Sequence, residues 1–430
     1  MKNFRLHLLL ALLTLVSASA ASQIVSADKT DGTTVTLRYA DGQTRVLDFY
    51  GPDIVRIFHA PAGGTLRDPD CDPEAHILVS NPREAMRTAW GVETDEGHVH
   101  ITTMAMTIDV DRATGCMTIR QGGRTVLQEA TAAQMEDNRT AVTLTLRDGE
   151  QFYGGGMQNG RYSHRGHIIQ ILNTNNWVDG GVSSPAPFCW SSEGYGLLFH
   201  TFRPGRYDLG ATDGNQAVFA HDTDYLDLFV MVADGPTALL SRYYQLTGYP
   251  VLLPKFGFYE GHLNAYNRDY WTPVPDDEQG GILFEDGHRY RESQKANGGI
   301  RETLNDELTD SLGRDSYLFS ARAVIDRYAA HDMPFGWILP NDGYATGYGQ
   351  TGSLEGNIDN LRAFSDYAHE QGVQVGLWTQ SDLYPKEGVE PLLQRDIVRE
   401  VRDGGVRALK TDVAWVGAGY SFGLNGVTDV

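Results

Sequence analysis

Lys410 and Asp412 stand two residues apart in the apolar segment VRALKTDVAW (406–415), and residues i and i+2 of a strand point to one side. An ammonium beside a carboxylate favours the ionised acid, which is the form that attacks carbon. The same pair also makes an ordinary structural ion pair, so its surroundings decide the reading. Asn341, Asp342 and Tyr344 follow a second apolar segment in PNDGYATGYG, and Trp378 and Asp382 end a third. His262 closes a segment that also carries Glu260, while Trp415 lies just beyond Asp412. Carboxylates among tryptophan and tyrosine rings suit cleavage of a glycosidic bond: acids move protons or attack the anomeric carbon, and rings cover apolar sugar faces. Each residue has a plainer alternative. PNDGY is good turn chemistry, Asp382 precedes Pro385 in a loop, and His262 can be a satisfied structural histidine. No His/Glu cluster shows metal-ligand spacing and no glycine-rich loop leads into a Lys-Ser/Thr pair, so no metal or other cofactor is expected.

Strands are needed to present these groups. After Pro254 the strand-like FGFYEGHL is followed by helix-like LFSARAVIDRYAAHDM, strand-like PFGWILP and helix-like GNIDNLRAFSDYAHEQG. VQVGLWTQ, EPLLQRDIVREVRDGG and VRALKTDVAW continue the alternation, which implies βα units on a parallel sheet. In a parallel barrel the functional residues stand at the C-terminal strand ends, where the candidates lie. Four such strands make half of a (β/α)8 barrel. An open four-stranded sheet is the competing fold, and the lack of a crossover glycine fingerprint favours the incomplete barrel. A polar stretch at about 276–312 exceeds ordinary loop length and reads as an insertion. Residues 21–250 differ: TTVTLRYA, QTRVLDF, HVHITTMAMTIDV and AVTLTLRD alternate apolar and polar residues between glycine turns, as in an antiparallel sandwich. The expected fold is multidomain, an N-terminal antiparallel β-sandwich (21–250) and then an incomplete (β/α)8 barrel (251–430).

Composition narrows the partners. Across 430 residues, 35 Lys+Arg against 56 Asp+Glu leave a formal charge of −21, which argues against a general nucleic-acid binder and against docking on anionic lipid. A neutral carbohydrate fits. The basic start, short apolar stretch and Ala18-Ser19-Ala20 of residues 1–20 read as a secretory signal peptide, too short to span a bilayer. A secreted or periplasmic protein, with no membrane anchor after cleavage, is expected. Cys71, Cys116 and Cys189 are too few and too scattered for a disulfide framework.

FYGGGMQNGRYSHRG (152–166), NTNNW (173–177), PAPFCWSSEGYGLLF (185–199) and the strand carrying Asp412 resemble glycoside hydrolase family 31. HLNAYNRDYW (262–271), WILPNDGYATGYG (337–349) and LKTDVAWVGAGYSFGLN (409–425) are similar to its α-N-acetylgalactosaminidase-type branch. The resemblance implies a galactose-mutarotase-like sandwich and a retaining, exo-acting α-glycosidase. Asp412 would form the covalent glycosyl-enzyme, Asp342 and Lys410 would bind sugar hydroxyls, and Trp378 and Trp415 would wall the pocket. Two departures stand out. Lys410-Thr411-Asp412-Val413-Ala414-Trp415 replaces the family's Trp-x-Asp-Met-Asn-Glu, and Asp342 lies one residue out of register with the usual earlier motif. The family's acid/base carboxylate is expected beyond Val430, which makes this chain an N-terminal part that is inactive alone. Release of terminal α-linked N-acetylgalactosamine is the leading expectation. α-Galactosidase, α-glucosidase or α-xylosidase activity, or a non-catalytic carbohydrate-binding protein, are the alternatives.

Overall fold

A computed structural model describes residues 23–30, 32–60, 78, 90–174, 176–201, 203–263, 270–293, 295–305, 317–340, 354–379, 388 and 397–411. They belong to two compact units, divided after Pro250.

The first unit is built from an eight-stranded and a nine-stranded sheet. Within both, the pairings are antiparallel, as when Thr44–Gly51 meets Ile54–Ala60 and Leu226–Val232 returns to lie beside Ile54–Ala60. Leu37, Leu47, Phe49, Val55 and Ile57 of one sheet share a core with Ile101, Ile108, Ile119, Val142, Leu144 and Phe219 of the other. Period-two alternation turns these side chains inward from each sheet, which makes the unit a sandwich. Two arginines are buried within it. Arg45 pairs with Glu129, and Arg56 donates two hydrogen bonds of 2.7 Å to the two oxygens of Asp227. Cys116 and Cys189 are free thiols, and burial pushes the Cys189 thiol up to about 12.

The glycine run of FYGGGMQ lies in the strand Phe152–Gln158, with Gly154, Gly155 and Gly156 at φ of 100°, 75° and 76°. A Cβ on Gly156 would stand 2.2 Å from the Ser184 carbonyl oxygen, so close strand approach and left-handed backbone both demand glycine.

The second unit holds a sheet whose strands lie in chain order: Glu260–Leu263, Trp337–Pro340, Gln374–Thr379 and Ala408–Thr411, all parallel. Helices Ala321–Ala330 and Leu354–Glu370 and the helical stretch Ile397–Arg402 alternate with them. Ser320 caps the first by accepting the Ala323 N–H. Ile325, Leu361, Phe364 and Ala368 pack on Leu263, Ile338, Val375 and Leu377 in one apolar layer. No helix among the described residues is long and apolar enough to cross a membrane.

The polar stretch read as an insertion contributes three short strands to a sheet. Ile282–Leu283, Arg289–Ser293, Tyr270–Val274 and Ile300–Arg301 form a four-stranded antiparallel sheet in that order. Its apolar signal is thin because the buried and partly buried side chains Trp271, Phe284, Tyr290, Ile300 and Phe319 make only one small cluster, drawn from separate short segments.

Candidate active site

Register decides which groups the parallel sheet can offer. Leu263, Ile338, Val375, Leu377 and Leu409 turn toward the helices. The intervening positions face the other way: a Cβ on Gly376 would meet the Trp337 ring and the Ala408 Cβ, which mark that face. His262 and Lys410 share its parity, His262 exposed and Lys410 half-buried. Lys410 pairs with Trp378, and Thr411 with Thr379, at the C-terminal ends of adjacent strands. Asp412, Asp342, Asn341, Tyr344, Asp382 and Trp415 lie outside the described residues, as does the segment 1–20 read as a signal peptide. Of the expected site, the sheet thus carries His262, the strand position of Trp378, and Lys410.

Sequence reasoning missed a second feature of this unit. His262 borders a cavity of about 510 Å³ lined by Trp271, Phe284, Glu292, Glu302 and Arg327 among others. The Trp271 indole donates to Glu302 Oε1 at 2.9 Å, stacks on Phe319 at 5.5 Å and meets Phe284 edge-on at 5.2 Å. Arg327 bridges Glu285, and its own hydrogen bond is the largest influence holding the Glu285 carboxyl below its usual range. Aromatic faces beside carboxylates are chemistry that binds polyols. Trp271 lies in the segment HLNAYNRDYW, but nothing in the spacing ties it to Glu302, because that contact needs the inserted sheet.

The first unit is an antiparallel β-sandwich, and the second carries polar groups at the strand ends of a parallel α/β sheet. Residues 45–208 match the family model of the glycosyl hydrolase 31 N-terminal galactose mutarotase-like domain. The chain is 33% identical over 129 residues to an alpha-xylosidase of Emericella nidulans, covering 28% of this chain and 15% of that protein. It is 26% identical over 132 residues to alpha-xylosidase XylQ of Lactiplantibacillus pentosus, covering 30% of this chain and 17% of that one. The Flavobacterium johnsoniae GH31 dextranase complexed with glucose has a similar fold, with TM-score 0.64 and 15% identity over 84% of this chain and 38% of its own. A GH31 alpha-xylosidase from a soil metagenome, complexed with xylose, gives TM-score 0.58 and 15% identity over 83% and 47%. The family model and these relatives support a place in glycoside hydrolase family 31. The matches span less than a fifth of the two curated relatives and under half of the two solved chains.

Proposed function

We propose that residues 251–430 open a (β/α)8 barrel and that the protein is a retaining α-glycosidase working from the non-reducing end. The observation that carries this reading is the parallel pairing of four strands in chain order, with His262 and Lys410 on the face turned from the helices. Asp412, two residues beyond Lys410, would attack the anomeric carbon as the bond to the leaving oxygen breaks. A second carboxylate gives that oxygen its proton, and water then cleaves the glycosyl ester. Lys410, Asp342 and Asn341 would bind ring hydroxyls, with Trp378, Trp415, Tyr344, Asp382 and His262 around them. The protein would act outside the cytoplasm, secreted or periplasmic, after loss of residues 1–20.

Two specificities have separate support. The curated relatives are named alpha-xylosidases, which favours an α-xyloside. The Lys410-x-Asp412 pattern and the HLNAYNRDYW segment favour a sugar with an axial O4, α-N-acetylgalactosaminide foremost. Aryl α-xyloside, α-glucoside, α-galactoside and α-N-acetylgalactosaminide, assayed on the full-length protein, separate them. A pocket that hydrogen-bonds an acetamido group rejects its hydroxyl analogue strongly, so comparable rates would exclude the second specificity. Mass labelling of Asp412 by a 2-fluoro glycosyl fluoride is expected. Sugar binding without label would replace the enzyme with a carbohydrate-binding protein.

A further inference from the structure

Far from these strands in sequence, the first unit gathers two histidines and three aspartates at one end of its nine-stranded sheet. Gly91–Thr94, His98–Thr102 and Thr107–Asp111 are the last three strands there. Val99 and Ile101 are fully buried in the core, so the alternate residues His98 and His100 are held on the outer face, their rings 5.7 Å apart. Register sets a carboxylate opposite each, Asp111 against His98 and Asp109 against His100. Asp95 comes in from the preceding turn. Its Oδ1 accepts the Gly97 and His98 N–H groups at 2.7 Å each, which leaves Oδ2 turned to His100 Nε2 at 3.2 Å.

The second nitrogen of His100 is already engaged. Nδ1 lies 2.6 Å from Asp109 Oδ1, and Asp109 Oδ2 accepts Arg120 Nε at 3.1 Å. A carboxylate behind Nδ1 selects the tautomer whose Nε2 lone pair is free to bind a cation, the outer-shell pattern of metal-bound histidine. Ligand atoms of Asp95, His98 and His100 lie within 4.8 Å of one another. The 3.2 Å between Asp95 and His100 is close to the edge of a zinc tetrahedron, about 3.3 Å for bonds of 2.0–2.1 Å.

We propose that Asp95, His98 and His100 bind one Zn2+ ion, with Asp109 orienting His100 from behind. Two imidazoles and one carboxylate suit zinc better than Ca2+ or Mg2+, which prefer all-oxygen shells. All three side chains are partly exposed, so the fourth position falls to water. The ion would pin the Asp95 turn to the strand beside it. The sequence alone hides this site, because the Asp109 partner arrives only through strand pairing.

The test is calorimetric titration of the full chain, stripped with chelator, with ZnCl2 at neutral pH. The visible spectrum of the Co2+ form serves as a readout of tetrahedral ligation. One equivalent should bind. The double variant His98→Ala/His100→Ala should lose that binding. Asp109→Asn, which keeps all three ligands, should weaken it about 10- to 100-fold. His167→Ala, an exposed histidine elsewhere on the unit, should change nothing. Circular dichroism of the zinc-free variants checks folding, and Asp109→Asn decides if the double variant is misfolded. Absence of stoichiometric binding in the wild type, undiminished binding in the double variant, or unchanged affinity in Asp109→Asn overturns the proposal.

Discussion

Trp378 and Lys410 are direct partners in parallel register at the C-terminal ends of neighbouring strands. Leu377 and Leu409, one residue earlier on each strand, are partners in the same register and belong to the helix-facing layer. That parity sets Lys410 on the opposite face. If the proposed glycosidase reading holds, Lys410→Ala removes a charged hydrogen bond to the sugar, a loss of about 1.5–3 kcal/mol. The expected fall in kcat/KM is roughly 10- to 100-fold on the preferred aryl glycoside, with the circular dichroism spectrum retained. Wild-type kinetics in this variant would remove Lys410 from the site.

Arg56 and Asp227 make a buried bidentate pair within the sandwich, with side chains 0% and 5% exposed. Burial opposes the Asp227 charge, but Arg56 and then His200 outweigh it and hold the carboxyl below its usual range. Asp227→Ala would leave a guanidinium buried without its counter-ion, at a cost of about 3–5 kcal/mol. Thermal unfolding should shift down by about 2–4 °C for each of these kcal/mol. A variant that melts with the wild type would show that solvent reaches Arg56.

Acid should weaken the sandwich through two buried histidines. Burial, and then the Arg45 charge, lower His59 from 6.5 to about 3. Burial likewise lowers His221 to about 4, with its ring held between the Tyr207 hydroxyl at 2.9 Å and the Arg203 carbonyl at 3.0 Å. Below about pH 6.5 the unfolded chain takes up protons that the folded chain refuses. Stability therefore falls with falling pH, by up to about 1.4 kcal/mol per unit for each histidine, until the folded values are reached. His59 stacks on Tyr39 at 5.3 Å, so His59→Phe keeps the ring and removes the titration. Urea midpoints measured from pH 7 to 4 should decline less steeply in that variant, and parallel curves would refute the assignment.

Gly156→Ala tests the glycine run. Left-handed backbone alone costs about 1–2 kcal/mol for an L-residue, and the approach to the Ser184 carbonyl adds to it. Gly123→Ala is the control, since its φ of 82° is also positive but nothing stands within 4 Å of its Cβ. A larger drop in thermal midpoint for Gly156→Ala than for Gly123→Ala is expected. Equal drops would mean that backbone conformation, not strand approach, demands the glycine.

Much of the architecture was legible before folding, because local rules govern it. Period-two alternation around Val35–Leu37 and Ile108–Val110 marked strands, and the alternation of helix-like and strand-like segments after Pro254 marked the parallel sheet. Strand ends such as Lys410 could be identified as candidate positions from the alternation of helices and apolar segments. The inserted sheet was not legible, since its strands are short and its small aromatic cluster is drawn from separate segments with little periodicity.

Pairings over long chain separations were decided by tertiary structure. Arg45 reaches Glu129 across 84 residues and Arg56 reaches Asp227 across 171, and no local pattern names either partner. The same holds for Trp271 with Glu302, 31 residues apart. Residue type and alternation depend on the backbone a few positions either way, so they are written in the chain. Which carboxylate meets which cation depends on strand register, and register exists only once the sheets have closed on their cores.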